Sequence, residues 1–219
     1  KDIYTEGISR INQLDIKFAR EFGYRIKLLA ITKSIEGRIE ARVHPTMIPA
    51  SHPLANIDGA FNGIYLKGNA VGPVMLYGMG AGMMPTASAV VADMMDIARN
   101  MLTGASQRIP ALSYTDSAVR DMEIKATDSL EIPYYMRFLA ADKPGVLSNI
   151  SGVLGRHNIS ISSVIQRDRK IGGSVALVIL THHAVEKELM AALAEIEKMD
   201  TIHEKPVYIR IEENLGAAN

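Results

Sequence analysis

Residues 133–213 constrain the fold more than any other part of the chain, because their apolar pattern switches twice between strand and helix. A strand-like run, IPYYMRFLAADKPGVL, leads into a helix-like stretch that ends in GRHNISISSV. Residues 160–166 and 174–181 then read as strands, 185–199 as a helix and 206–212 as a last strand. This order, βαββαβ, is a complete ferredoxin-like module.

Two corners of this module carry residues that suit either a helix end or a ligand. Asp142 and Gly145 stand where the first strand meets the helix, and Asn158 follows that helix. Each has a local explanation, because Asp caps free helix amides and Asn accepts the left-handed conformation at a helix end. In a paired module the corners can meet across a two-fold axis, where backbone amides and the carboxylate of Asp142 would face a common ligand.

The DKPGVL and HNISIS segments, in this order of elements, resemble an ACT domain, a regulatory module that binds amino acids in enzymes of amino-acid metabolism. We place this domain at residues 131–215. The resemblance implies an effector-binding site. The residues expected to form it are Asp142, Gly145, Val146, Leu147, Asn158, Ile159 and Ser160.

Composition narrows the class of partner. The chain has 24 basic and 24 acidic residues and no long run of either sign, so nothing indicates a surface for nucleic acid or an anionic membrane. It has no cysteine, which excludes disulfides, and no apolar run long enough to span a bilayer. We predict a cytoplasmic protein of two domains with a small-molecule partner. Because the chain opens on Lys1 rather than Met, we also expect that upstream sequence has been removed.

Residues 1–103 mix strands and helices without a clean repeat. The second of two predicted helices is apolar on more than a narrow stripe, so we expect it to be mostly buried against the sheet. Residues 104–130 predict a surface connector. The predicted fold class is α+β, with an α/β-type mixed sheet followed by the ferredoxin-like module. Helices are predicted over residues 14–22 and 86–101, and strands over residues 24–32, 38–47, 61–67 and 73–77.

A glycine-rich turn, GMGAGMMPT at residues 78–86, follows an apolar strand and opens the second helix. Glycines let the backbone approach a ligand, and free amides at a helix N-terminus favour a phosphate or carboxylate. The match to G-x-G-x-x-G fails at Met83, and a Walker lysine is missing. From the residues alone, a ligand-facing loop and a tight turn that only permits close helix–sheet packing are equally good interpretations.

Several segments resemble, in order, the later part of the catalytic domain of homoserine dehydrogenase: YTEGI at 4–8, Asp15-Ile16 with Ala19, GYRIKLLA at 23–30, HPT at 44–46, HPLA at 52–55, Asn62 and residues 78–93. The resemblance implies NAD- or NADP-dependent interconversion of L-aspartate 4-semialdehyde and L-homoserine, on the route to threonine, isoleucine and methionine. It makes residues 1–103 part of the catalytic and substrate domain. It also implies cofactor contacts at Gly80, Ala81 and Gly82.

The family's Rossmann domain and its catalytic lysine precede the point where this sequence begins, so we assign no catalytic residue here and expect the chain alone to be inactive. Lys27, Glu6 and Asp15 are interpreted as structural residues. His44 and His52, each beside a proline, are predicted to lie in turns, and the histidine spacing gives no metal site.

Regulation and assembly complete these expectations. The resemblance implies feedback by an amino acid, for which we predict threonine, with the hinge in residues 104–130. We predict at least a homodimer, because the strands over residues 134–140 and in the first half would leave exposed edges. An alternative is a stand-alone amino-acid-binding regulatory or dimerisation protein without catalysis.

Overall fold

The fold was analysed in a computed structural model that describes residues 3–105, 113–114, 116–166, 174–213 and 215. The α-helices are α1 (Gln13–Glu21), α2 (Met83–Leu102), α3 (Val146–Arg156) and α4 (Glu186–Ile196). The strands are β1 (Tyr4–Thr5), β2 (Tyr24–Ile35), β3 (Arg38–Pro49), β4 (Phe61–Gly68), β5 (Gly72–Met79), β6 (Glu131–Ile132), β7 (Tyr134–Ala141), β8 (Ile161–Gln166), β9 (Ser174–Thr181), β10 (Ala184–Val185) and β11 (Val207–Ile211). The predicted helices and strands are confirmed, with small differences at their ends.

The chain divides into two compact units. We call residues 1–55 with 123–215 the sheet unit, and residues 56–122 the hairpin–helix unit. The connector predicted over residues 104–130 lies partly outside the described residues. Its last part is held to β3, because the amide of Ile39 donates to the carbonyl of Glu123 and the amide of Lys125 donates to the carbonyl of Ile39, both at 2.8 Å. The three-part domain division stays a prediction.

A mixed seven-stranded sheet forms the sheet unit, in the order β1-β3-β11-β7-β9-β8, with β2 also paired to β3. Strands β11, β7, β9 and β8 are antiparallel neighbours and form the predicted ferredoxin-like sheet. Strand β11 continues this sheet into the first half, because it pairs in parallel with β3 through Arg210 opposite Thr46 and Ile211 opposite Met47. The prediction that residues 134–140 form an exposed edge is wrong, since β7 lies between β11 and β9.

Both faces of the ferredoxin-like sheet are covered. Alternate residues of its strands point to opposite faces, so one strand can supply two cores. Tyr134, Met136 and Phe138 of β7 pack with α3 and α4 in the first core. Tyr135 belongs to the second core, where Phe18 and Ala19 of α1 cover the other face. The first half of the chain therefore supplies the helix that closes the second face.

The hairpin–helix unit consists of the antiparallel pair β4–β5 followed by α2. Phe61 and Tyr77 stack on one face of the hairpin, with ring centroids 4.9 Å apart. The predicted burial of α2 is wrong: none of its residues is buried, and Met94 and Met101 are 64% and 71% exposed. Two strands offer too little surface to cover a helix whose apolar residues extend beyond a narrow stripe.

Candidate functional site

The first strand–helix corner of the ferredoxin-like module forms a cleft of about 370 Å³. Gly145 turns the chain into α3 with a φ of 89°, a conformation that favours glycine. No side chain caps the start of α3, and Asp142 makes no hydrogen bond or ion pair with a described residue. The local explanation of Asp142 as the helix cap is therefore wrong. The lining includes Ala140, Asp142, Gly145, Val146, Leu147, Gln166, Val175 and Leu177.

The other predicted effector residues lie at the opposite end of α3. This helix has 11 residues, so it separates the two corners by about 16 Å within one chain. Asn158 has a φ of 56°, in agreement with its local explanation as a left-handed residue after a helix. The side chain of Ile159 is buried in the core, whereas Ser160 is exposed and its carbonyl accepts from the amide of His182 at 2.8 Å.

The glycine-rich turn joins β5 to α2 and is exposed along Gly80, Ala81 and Gly82. Gly82 is the N-cap of α2, has a φ of 125° and provides no side-chain cap, so the first amides of the helix keep no side-chain partner. A Cβ built on Gly80 would lie 1.7 Å from Nδ2 of Asn62. The positive φ gives Gly82 a local backbone reason to be glycine, whereas a Cβ at Gly80 would meet only the side chain of Asn62, and the turn leaves bare backbone on the surface.

A buried ionic cluster, which we call the Arg210 cluster, lies where β11 meets the first half of the chain. Arg210 is 1% exposed and forms two hydrogen bonds with Glu186, one of them from Nε at 3.0 Å. Its Nη1 donates to Oε2 of Glu6 at 2.9 Å. The hydroxyl of Tyr134 donates to Glu186 at 2.7 Å, and that of Tyr4 donates to Glu6 at 2.9 Å. Although burial opposes the charge, Glu186 raises the pKa of Arg210 above its ordinary value.

A second buried cluster surrounds Arg42 on β3. Its guanidinium pairs with Glu40 and Glu212, and its Nε donates to Nε2 of His44 at 2.8 Å. His44 is fully buried in the middle of β3, so its predicted position in a turn is wrong, whereas His52 does lie in a turn. Burial lowers the pKa of His44 to about 3. The ring is neutral and accepts at Nε2, which leaves the proton on Nδ1 beside the carbonyl of Pro45 at 2.9 Å.

A third contact joins α1 to the ferredoxin-like sheet. Asp15 is fully buried and accepts from Nε and Nη2 of Arg137, at 2.6 and 3.2 Å, and from the hydroxyl of Tyr135 at 2.9 Å. Its carboxylate also accepts from the amide of Asn12 in a capping box. The interpretation of Asp15 as a helix-start residue is confirmed, but it omitted the ion pair.

A signal for the buried charges was present in the sequence. Glu40, Arg42, His44 and Thr46 occupy alternate positions of one strand, and all four are buried on its inner face. Polar residues at alternate positions normally indicate the solvent-exposed face of a strand. They indicate a buried face only when charged partners from elsewhere in the chain are known. The partner Glu212 lies 170 residues from Arg42, so only the fold identifies it.

Among the described residues, no cluster of three or more histidine, aspartate and glutamate residues is arranged to hold a metal ion. No helix in those ranges combines the length and apolar character needed to cross a bilayer. Lys27 lies within β2 opposite Thr46 and is half-buried, as expected for a strand residue.

Comparisons with known proteins give this geometry a family. Residues 1–95 match the family model of homoserine dehydrogenase, and residues 134–198 match that of the ACT domain. The homoserine dehydrogenase of Neisseria gonorrhoeae is 44% identical over 95% of this chain and 48% of its own length. That of Pseudomonas aeruginosa is 38% identical over 96% of this chain and 49% of its own length.

Solved structures of homoserine dehydrogenases are also similar to this chain. A crystal structure of a homoserine dehydrogenase from Thiobacillus denitrificans has a TM-score of 0.85 and 42% identity, covering 97% of this chain and 48% of that chain. That of the Staphylococcus aureus enzyme has a TM-score of 0.61 and 26% identity, covering 96% and 47%. The chain spans about half the length of the curated relatives it matches. The chain belongs to the homoserine dehydrogenase family and carries an ACT domain after the matched dehydrogenase region.

Proposed function

We propose that this chain contributes part of the catalytic domain and the effector module of a cytoplasmic homoserine dehydrogenase, which interconverts L-aspartate 4-semialdehyde and L-homoserine in threonine, methionine and isoleucine biosynthesis. The identity over both matched regions supports this proposal. The chain alone is expected to be inactive, since no described residue combines a general acid or base with a cofactor crevice. Homoserine-dependent reduction of NAD or NADP by the purified chain would contradict that expectation.

The exposed turn of Gly80, Ala81 and Gly82 fits a contact with the cofactor, because its backbone is bare and α2 has no acidic residue in its first turn. When bound, NAD or NADP accepts or supplies the hydride. In the full-length protein, Gly82→Val should raise the cofactor KM well before it alters the response to threonine. Unchanged cofactor kinetics in a folded variant would reduce the turn to a packing device.

The corner cleft supports binding of an amino acid, and threonine as the pathway's end product is our proposed effector. The observation that carries this proposal is the carboxylate of Asp142, which has no partner among the described residues, beside the uncapped start of α3. Asp142 would bind the ammonium group, and the amides near Gly145 and Leu147 would bind the carboxylate.

Pairing of two ACT domains would complete this site with Asn158, Ile159 and Ser160. Both faces of the ferredoxin-like sheet are covered and β3 occupies the β11 side, so the outer edge of β8 is the one left for another copy in the described part of the sheet. Gln166 at the end of β8 lines the cleft, so a copy paired along β8 would approach the effector. We therefore propose a homodimer, or a higher homo-oligomer built from it.

Calorimetry of the dimeric chain with threonine tests the effector site. We expect binding by the parent and at least a tenfold loss of affinity in Asp142→Ala, because the ammonium group loses its counter-charge. The matched control is Asp128→Ala, which removes an exposed carboxylate outside the cleft. No binding to the intact dimer at millimolar threonine would favour the alternative of a dimerisation element without an effector.

A further inference from the structure

Strand β7 connects the effector cleft to the Arg210 cluster. Ala140 and Ala141, at its end, line the cleft, while Tyr134, at its start, donates to Glu186. Eight residues separate the two sites by roughly 25 Å of extended chain. Because β7 lies inside the sheet and is paired on both sides, it forms one continuous element between the two sites.

The Arg210 cluster then leads out of the ACT domain. Glu186 and Arg210 belong to the ferredoxin-like module, whereas Glu6, which accepts from Nη1 of Arg210, belongs to the matched dehydrogenase region. The guanidinium also lies 4.6 Å from the ring centroid of Tyr4. The residue that receives the contact is therefore part of the segment Tyr4 to Gly7, directly beside β3.

Stability does not explain why charges are kept at this junction. A buried ion pair contributes little more than an apolar replacement of the same shape, because desolvation offsets the attraction between the charges. What the charges do supply is alignment: β11 and β3 share only two register pairs, so the ionic contacts add a directional constraint at a short junction. The ionic contact across the junction is the hydrogen bond from Nη1 of Arg210 to Glu6 at 2.9 Å, and the two hydrogen bonds between Arg210 and Glu186 hold the guanidinium in place for it.

We propose that the bridge Tyr134–Glu186–Arg210–Glu6 transmits effector binding from the ACT corner to the dehydrogenase region. The proposal rests on the proposed function, because it requires an effector at Asp142. Binding that displaces β7 moves the hydroxyl of Tyr134, and with it the carboxylate that holds Arg210. The position of Glu6, and of the segment that carries it, changes in response.

The test uses the full-length protein and two mild variants. Glu6→Gln keeps the size of the side chain and removes its charge, and Tyr4→Phe removes only the hydroxyl that donates to Glu6. Glu197→Gln is the matched control, because that exposed carboxylate faces Lys205 at 3.9 Å outside the bridge. Two quantities are measured: the threonine Kd by calorimetry, and the ratio of substrate KM with and without saturating threonine.

We expect the threonine Kd to stay within about threefold in every variant. A typical coupling between two sites changes affinity about 5- to 150-fold. We expect the KM ratio to fall close to one in Glu6→Gln and to fall partly in Tyr4→Phe. In Glu197→Gln it should keep its parental value. A parental ratio in folded Glu6→Gln and Tyr4→Phe would overturn the bridge and leave the effector site intact. Absence of threonine binding to the parent would overturn the effector site and the bridge together.

Discussion

The sheet unit and the hairpin–helix unit treat their apolar residues in opposite ways. In the sheet unit, Phe138, Ile150 and Leu154 are completely buried between a sheet and two helices. In the described part of the hairpin–helix unit no residue is buried, and Met94 and Met101 of α2 stand in solvent. Both units contain helices and strands with apolar residues. In the sheet unit a sheet lies between helices, whereas the hairpin–helix unit has, in its described residues, one hairpin and one α-helix.

This difference indicates which unit contributes most of the free energy of unfolding. A sheet with helices on both faces closes its own cores, whereas a two-stranded hairpin with one helix does not. We infer that the sheet unit sets the folding free energy of the chain.

The largest contrast is expected from truncating one large side chain in each unit. Phe138→Ala removes a fully buried ring and should lower the free energy of unfolding by about 3–5 kcal/mol. Met94→Ala, at a site 64% exposed, should change it by less than about 0.5 kcal/mol. Urea unfolding of the purified chain measures both. Equal losses would show that the hairpin–helix unit has a core of its own.

Removing one carboxylate from each unit should also lower the unfolding free energy more in the sheet unit, by a smaller amount than the core substitution. Asp15→Asn leaves the guanidinium of Arg137 buried without a counter-charge, and should cost about 3 kcal/mol of unfolding free energy. The matched change in the other unit is Asp96→Asn, where the exposed carboxylate accepts only from Asn100 at 3.3 Å. That change should cost less than about 0.5 kcal/mol. A similar loss of unfolding free energy in both variants would show that the buried position of Asp15 does not strengthen its ion pair.

Titration of His44 should make the stability of the sheet unit depend on pH. Its pKa is about 3 in the fold and 6.5 ordinarily, so the unfolded chain binds the extra proton between these values. The stability is complete above pH 6.5 and is lost as pH falls toward 3. Between pH 6.5 and 5 the parent should lose roughly 1.5 kcal/mol more than His44→Gln, which carries no charge at either pH. If the unfolding free energies of parent and variant change in parallel with pH, the lowered pKa of His44 is refuted.

The smallest expected effect lies in the turn of the hairpin–helix unit. Gly82→Ala places a side chain at a φ of 125° and should lower stability by about 1 kcal/mol. Gly78→Ala is the control, because a Cβ there meets no atom within 4 Å and the backbone has no positive φ. Thermal unfolding of the purified chain compares the two. A larger loss in Gly78→Ala would contradict the backbone argument.

Much of the local structure was predictable from the sequence. The pattern of apolar residues indicated α1, the β2–β3 hairpin and every main element of the ferredoxin-like module, because each of these has a periodicity of its own. The Asp142 corner was also identified from residue types, and the structure places it on a cleft. The burial of α2 was not predictable, since an apolar pattern states what a helix can bury but not whether a partner is present.

The order of elements and the family could be read from the sequence alone, because both depend on neighbouring residues or on similarity along the chain. Only the tertiary structure decided that β11 joins β3, that α1 closes the second face of the ACT sheet, and that His44, Arg42 and Arg210 lie in the interior. The physical reason is that a charge is tolerated in a core only beside its counter-charge. Here Glu186 pairs with Arg210 inside the ferredoxin-like module, whereas Arg42 on β3 pairs with Glu40 of the same strand and with Glu212, which folding brings from the far end of the chain.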